Sequence, residues 1–154
     1  MNLEKFTDRA KGFLQAAQTI AIRNSHQRIT PAHLLKALLD DSEGMAAGLV
    51  SKAGGDPRMA EDEADAALAK IPAVSGGGAQ QTPGLDNDAV RTLDQAQQLA
   101  EKAGDAYVPV QRVLQALALS TTTSAGQALK AAGVDAKALE AAIQEVTGGR
   151  TADS

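Results

Sequence analysis

Residues 29–39 read Ile-Thr-Pro-Ala-His-Leu-Leu-Lys-Ala-Leu-Leu, and residues 108–118 read Val-Pro-Val-Gln-Arg-Val-Leu-Gln-Ala-Leu-Ala. Each is a short helix by its start and its stripe. In the first, Thr30 can cap free backbone N–H groups, and Pro31 suits the first helical position, where no donor is needed. Leu34, Leu35, Leu38 and Leu39 then form a buried stripe. The second copy, 79 residues on, matches at Ile29/Val108, Leu35/Leu114 and Ala37-Leu38/Ala116-Leu117.

The same offset holds outward in both directions without a gap. Upstream it pairs Ala10 with Ala89, Leu14 with Leu93, Ala17-Gln18 with Ala96-Gln97, Ile20 with Leu99 and Ala21 with Ala100. Downstream it pairs Ala53-Gly54 with Ala132-Gly133, Asp56 with Asp135 and Glu61 with Glu140. A single period held through four helices predicts two four-helix repeats around a pseudo-twofold axis, with a seam between them. The first repeat is expected at about 3–71 and the second at about 85–147. Within the first, Leu3 to Asn24 keeps a helical spacing through Phe6, Ala10, Phe13, Leu14, Ala17, Ile20 and Ala21. A third helix is expected from Met45 to Ala53, ended by Gly54-Gly55, and a fourth from Asp56-Pro57 to Ile71-Pro72. Between the repeats, 72–84 carries Gly76-Gly77-Gly78 and Pro83 and reads as a flexible linker, spanning roughly 20 Å as a coil. The tail 148–154 reads as the start of a linker to further modules, so the domain is placed at 1–147.

Composition supports an all-α fold. Of 154 residues 44% are apolar but only 2% aromatic, namely Phe6, Phe13 and Tyr107. Ala and Leu, the best helix formers, supply most of the rest. The net charge of −4, with no basic stripe, argues against a nucleic-acid partner. The absence of cysteine removes thiolate nucleophiles and Cys-based zinc sites and suits a reducing compartment. The opening residues hold no apolar signal core, and Val113 to Leu119 is too short to span a bilayer. A cytoplasmic protein with no membrane partner is expected.

Few motifs suggest chemistry. His26 and His33 are seven apart across a loop, unlike an i, i+4 metal pair, so His33 is read as a hydrogen-bonding group near a helix N-terminus. Glu61-Asp62-Glu63 with Asp65 is read as a solvated helix face rather than a metal site. Thr121-Thr122-Thr123-Ser124 is read as a loop plus cap. No catalytic constellation is apparent, and no metal ligand is assigned.

The doubled helical repeat, the Thr-Pro-x-His-Leu-Leu element of Thr30–Leu35, the opening Met1-Asn2-Leu3-Glu4-Lys5-Phe6-Thr7, Ile71-Pro72-Ala73-Val74 and the tail Gly148-Gly149-Arg150-Thr151 resemble the Clp N-terminal domains, specifically the ClpB type. That resemblance implies a binding module, not an enzyme in itself, of an ATP-driven hexameric disaggregase that works with the DnaK chaperone system. It implies weak capture of exposed apolar segments of unfolded or aggregated polypeptide above the ring pore. ATP and magnesium belong to downstream modules; this chain has no Gly-x-x-x-x-Gly-Lys-Ser/Thr loop and needs no cofactor. By position, the resemblance implies a groove at the seam lined by the helices Asp86–Ala103 and Val110–Leu119. It includes Leu99, with Gln95 and Arg112 where some members carry leucine, and the polar positions Thr7, Asp105 and Gln111. Gln111 stands where the family usually has glutamate. The other side of the reading is that Leu99 is ordinary core. Two other functions stay open: docking of a folded adaptor, as in ClpA- or ClpC-type unfoldases, and a mobile regulatory spacer that binds no client. The isolated chain is expected to be a monomer and the full-length protein a homohexamer.

Overall fold

The computed structural model describes residues 2–41, 44–74 and 82–147. Most of the expected linker and all of the expected tail lie outside them. The described residues are all-α, with eight helices: α1 (Asp8–Arg23), α2 (Pro31–Leu39), α3 (Met45–Lys52), α4 (Pro57–Ala69), α5 (Asn87–Lys102), α6 (Val110–Leu119), α7 (Ser124–Ala131) and α8 (Ala136–Thr147). The first four start at residues 8, 31, 45 and 57, and the last four at 87, 110, 124 and 136, a constant 79 apart.

Local chemistry explains the starts. Thr7 and Asp86 cap α1 and α5 by accepting from Ala10 N and Ala89 N, and Asp56 and Thr123 do the same for α4 and α7. Helix α2 starts at a Thr30–His33 capping box: His33 Nδ1 accepts the Thr30 backbone N–H, and the Thr30 hydroxyl lies 2.9 Å from the same nitrogen. Gly54 and Gly133, at φ 90° and 91°, end α3 and α7 in a conformation that suits glycine. They face each other, and a Cβ on Gly133 would stand 3.3 Å from the Gly54 carbonyl oxygen.

Helices α2 and α6 are the centre of the molecule. Every residue of α2 except Lys36 is buried, and so is every residue from Val110 to Leu117 of α6. Both helices bury polar residues as well, His33 in α2 and Gln111, Arg112 and Gln115 in α6. The other helices bury one face. Helices α1 and α5 bury alanines at matching places, Ala10, Ala17 and Ala21 in one and Ala89, Ala96 and Ala100 in the other. Those small side chains let each helix lie close against the central pair.

The start of the chain differs from its periodicity. Leu3–Lys5 form a single 3-10 turn, and helix α1 begins only at Asp8. Phe6 is extended and buried, bridged in parallel to Val108. Thr7 N–H donates to the Val108 carbonyl, and Val108 N–H donates to that of Lys5. The arrangement recurs with the halves exchanged. The two-residue strands β1 (Arg28–Ile29) and β2 (Gly84–Leu85) pair in parallel, and Asp86 N–H donates to the Ile29 carbonyl. Each half therefore lends its opening segment to the loop of the other. No helix of the described residues is long and apolar enough to cross a membrane.

Candidate functional site

Gln95 and Leu99 lie one turn apart on α5, and both are half-buried. Leu99 packs against the core while keeping part of its surface in solvent. Around Gln95 the outer side of α5 is a shallow open hollow formed with Val90, Arg91, Asp94 and Gln98. Exposed apolar side chains flank it in sequence: Val90 on α5, Tyr107 in the α5–α6 loop and Leu119 at the end of α6. The Asp86 cap of α5 has its carboxyl pKa raised, chiefly by desolvation.

The other four residues expected at the site are inside the protein. Thr7 is 3% exposed and occupied in capping α1. Gln111 and Arg112 are each 6% exposed. Arg112 Nε stands 3.6 Å from Asp105 Oδ2, and the Asp105 side chain is itself buried. The Arg112 Nη1 hydrogens go to Gln115 Oε1 at 2.8 Å and Glu140 Oε2 at 3.0 Å. The structure thus joins Asp105 and Arg112 in one buried network tying the α5–α6 loop, α6 and α8 together. A guanidinium held from three sides is a fixed support.

A second apolar feature was not signalled by the repeat. Ala10, Phe13, Leu14, Leu34, Leu38, Val110 and Val113 line an apolar socket between α1, α2 and α6, with about 10 Å³ of free space. That is room for about one water-sized sphere. The signal for it was Phe13, one of three aromatics and only half-buried.

Two further polar contacts lie in the first half. Lys36 Nζ reaches Glu61 Oε2 and Asp65 Oδ1, each at 3.0 Å, so the acidic run 61–65 within α4 is partly a clamp on α2 rather than only a solvated face. The lysine pKa is raised: burial opposes the charge, but the two carboxylates outweigh it. His26 Nδ1 lies 2.8 Å from His33 Nε2, a contact that sequence spacing did not reveal. Among the described residues no group of three or more His, Asp or Glu could hold a metal ion.

Residues 5–132 match the family described as the Clp repeat (R) N-terminal domain. Over its full 154 residues the chain is 48% identical to the chaperone protein ClpB of Agrobacterium fabrum, covering 17% of that protein. The chain therefore spans about a sixth of the length of such relatives. Among solved structures, the Hsp104 N-terminal domain of Candida albicans superposes with a TM-score of 0.82 at 23% identity, covering 97% of this chain and 96% of that one. A ClpV N-domain in complex with a VipB peptide superposes with a TM-score of 0.71 at 20% identity, covering 99% and 92%. At those identities the structural likenesses establish the fold alone.

Proposed function

The chain belongs to the Clp repeat (R) N-terminal domain family and is homologous to the ClpB N-domain, and from that premise we propose that it is the substrate-engaging domain of a ClpB-type disaggregase. It captures exposed apolar segments of unfolded or aggregated polypeptide weakly and hands them to a ring pore. The observation that carries this reading is the identity to a ClpB chaperone along the whole chain. Two others support it. Half-buried Leu99 and exposed Val90 offer apolar side chains on a helix that also presents polar ones, a non-directional contact that tolerates many client sequences. A ClpV N-domain of the same fold is known with a peptide bound.

In this reading the seam residues divide by role. Leu99 and Gln95 meet the client. Thr7, Asp105, Gln111 and Arg112 hold the wall behind them. The constant offset and the exchanged Phe6–Val108 and Ile29–Leu85 pairings support a pseudo-twofold relation between repeats 3–71 and 85–147. A hexamer of full-length protein would present six tethered copies, raising the local client concentration without tight binding. The DnaK system as partner and the cytoplasm as compartment belong to the same proposal.

Titrating the isotope-labelled chain with an unfolded apolar polypeptide and following amide shifts tests it. Progressive shifts centred on Gln95, Leu99 and Tyr107 are expected. Silence at millimolar polypeptide would overturn client capture and favour a spacer; a saturable 1:1 complex with a folded protein would favour adaptor docking.

A further inference from the structure

His26 and His33 sit in the first half, apart from the face assigned to clients. His26 follows the turn at Ser25, which ends α1 with φ 55°, and His33 is in the first turn of α2. Their rings meet edge-on at 77°, and both are buried. The hydrogen-bond partners fix where the protons are. His33 Nδ1 accepts the Thr30 N–H, so it carries no hydrogen. His33 is then protonated on Nε2 and donates to His26 Nδ1, 2.8 Å away. His26 in turn carries its proton on Nε2, and its ring is bonded to the backbone of Ile71. A relay runs from the Thr30 N–H through both rings to the Ile71 carbonyl. Beside it, Val74 N–H donates to the Ser25 carbonyl at 2.8 Å. The turn after α1 thus holds both the start of α2 and the segment that leaves α4.

Another proton breaks a link of this relay. On His33 Nδ1 it would displace the Thr30 N–H and leave the Thr30 hydroxyl, 2.9 Å away, as its acceptor. On His26 Nδ1 it would face the His33 Nε2–H, donor against donor. The surroundings oppose the charge as well. His33 is fully buried at the positive end of α2. Burial and His26 lower its pKa to about 4, and burial lowers that of His26. The ionisable groups on the packed elements include Arg23 of α1, Arg28 of β1, Lys36 of α2, Glu61, Asp65 and Lys70 around α4, and Asp86 before α5. Glu61 and Asp65 are engaged by Lys36, and Asp86 is under the influence of Arg28. No carboxylate is among the causes that shift either imidazole.

We propose that the His26–His33 relay is a proton-sensitive latch: one added proton parts the turn after α1 from α2 and from Ile71–Val74, loosening the first half at its exit while the second half stays closed. The closed form is favoured above the ordinary histidine range, and opening takes up a proton, so it grows as pH falls from about 6.5 toward 4. The second half carries no histidine, so it has no counterpart to this titration.

The test is amide exchange on the labelled 154-residue chain between pH 7 and 4.5, with imidazole nitrogen shifts read in parallel. Both rings are expected as Nε2–H tautomers at pH 7. Protection factors at Thr30 and Val74 are expected to fall up to about tenfold per pH unit once opening is proton-coupled. Those at Asp105 and Val134, bonded to Ala100 and Leu129, are expected to hold. Equal loss in both halves, or protonated rings with Thr30 still protected, overturns the latch. His26→Asn keeps an acceptor facing His33 but cannot titrate, and it should reduce the pH response of Thr30. An unchanged response in that variant also overturns it. None of these outcomes depends on client binding.

Discussion

At the end of α1 the chain turns at Ser25 and buries two imidazoles against each other; at the end of α5 it turns at Gly104 and buries a carboxylate against a guanidinium. The places are equivalent. His26 and Asp105 are 79 apart, and so are His33 and Arg112. In both halves a polar side chain after the first helix grips one in the first turn of the central helix. The contact is required by the architecture, but its chemistry is not. The neutral pair satisfies itself with backbone groups of Thr30 and Ile71. The charged pair recruits Gln115 and Glu140, because a buried guanidinium needs more than one acceptor.

The outer helices differ in the same spirit. Helix α4 is pressed inward by Ala60 and Ala64, whereas α8 presents Leu139 and Ile143 at the corresponding places. Small residues bring axes close and large ones fill a wider gap. One scaffold is therefore held by close approach and a lysine clamp in the first half, and by bulk and an arginine network in the second.

Several substitutions would break or sharpen this contrast. The largest effect is expected for Arg112→Ala, which takes the buried guanidinium away from Asp105, Gln115 and Glu140 together and should cost about 3–5 kcal/mol in urea unfolding. His33→Ala leaves no buried charge and should cost clearly less; equal costs would mean that both contacts act only through packing. Leu35→Ala and Leu114→Ala remove fully buried side chains at matched positions and should each cost about 3 kcal/mol. A wide difference between them would show that one half has the looser core.

Acid comes next in size. A histidine whose folded pKa lies near 4 stabilises fully above its unfolded value of 6.5 and loses that contribution on the way down. Lowering pH from 7 to 5 should therefore remove about 2 kcal/mol through His33, seen as a drop in the urea midpoint. Installing the charged pair in the first half, with His26→Asp and His33→Arg together, should abolish that part of the pH dependence. The smallest effects are at the caps. Thr7→Ala and Asp86→Ala each remove one side-chain acceptor, and each should cost about 1 kcal/mol by thermal unfolding.

Much of this was legible in the sequence, for local reasons. Pro31, Pro57, Asp56 and the Gly54 and Gly133 stops mark helix ends through backbone chemistry that needs no partner. The start of α1 was not legible. Leu3 and Phe6 continue a helical spacing, yet Phe6 is drawn out of the helix by Val108, a residue far along the chain. Of the candidate site, the period of α5 carries only the apolar facing of Leu99; its place in a groove is what the family resemblance implies. The burial of Thr7, Asp105, Gln111 and Arg112 depends on how the halves close, which spacing does not encode. The clamp of Glu61 and Asp65 on Lys36 and the meeting of His26 with His33 were hidden likewise, since each is made by a helix or loop arriving from elsewhere.

The exchanged pairings of Phe6 with Val108 and of Ile29 with Leu85 also have a mechanical meaning. They form a crossed clasp, in which neither half can be peeled from the other without opening a ladder that its neighbour helped to build. Under tension applied through its ends, such a domain is expected to yield in a single rupture rather than in two steps.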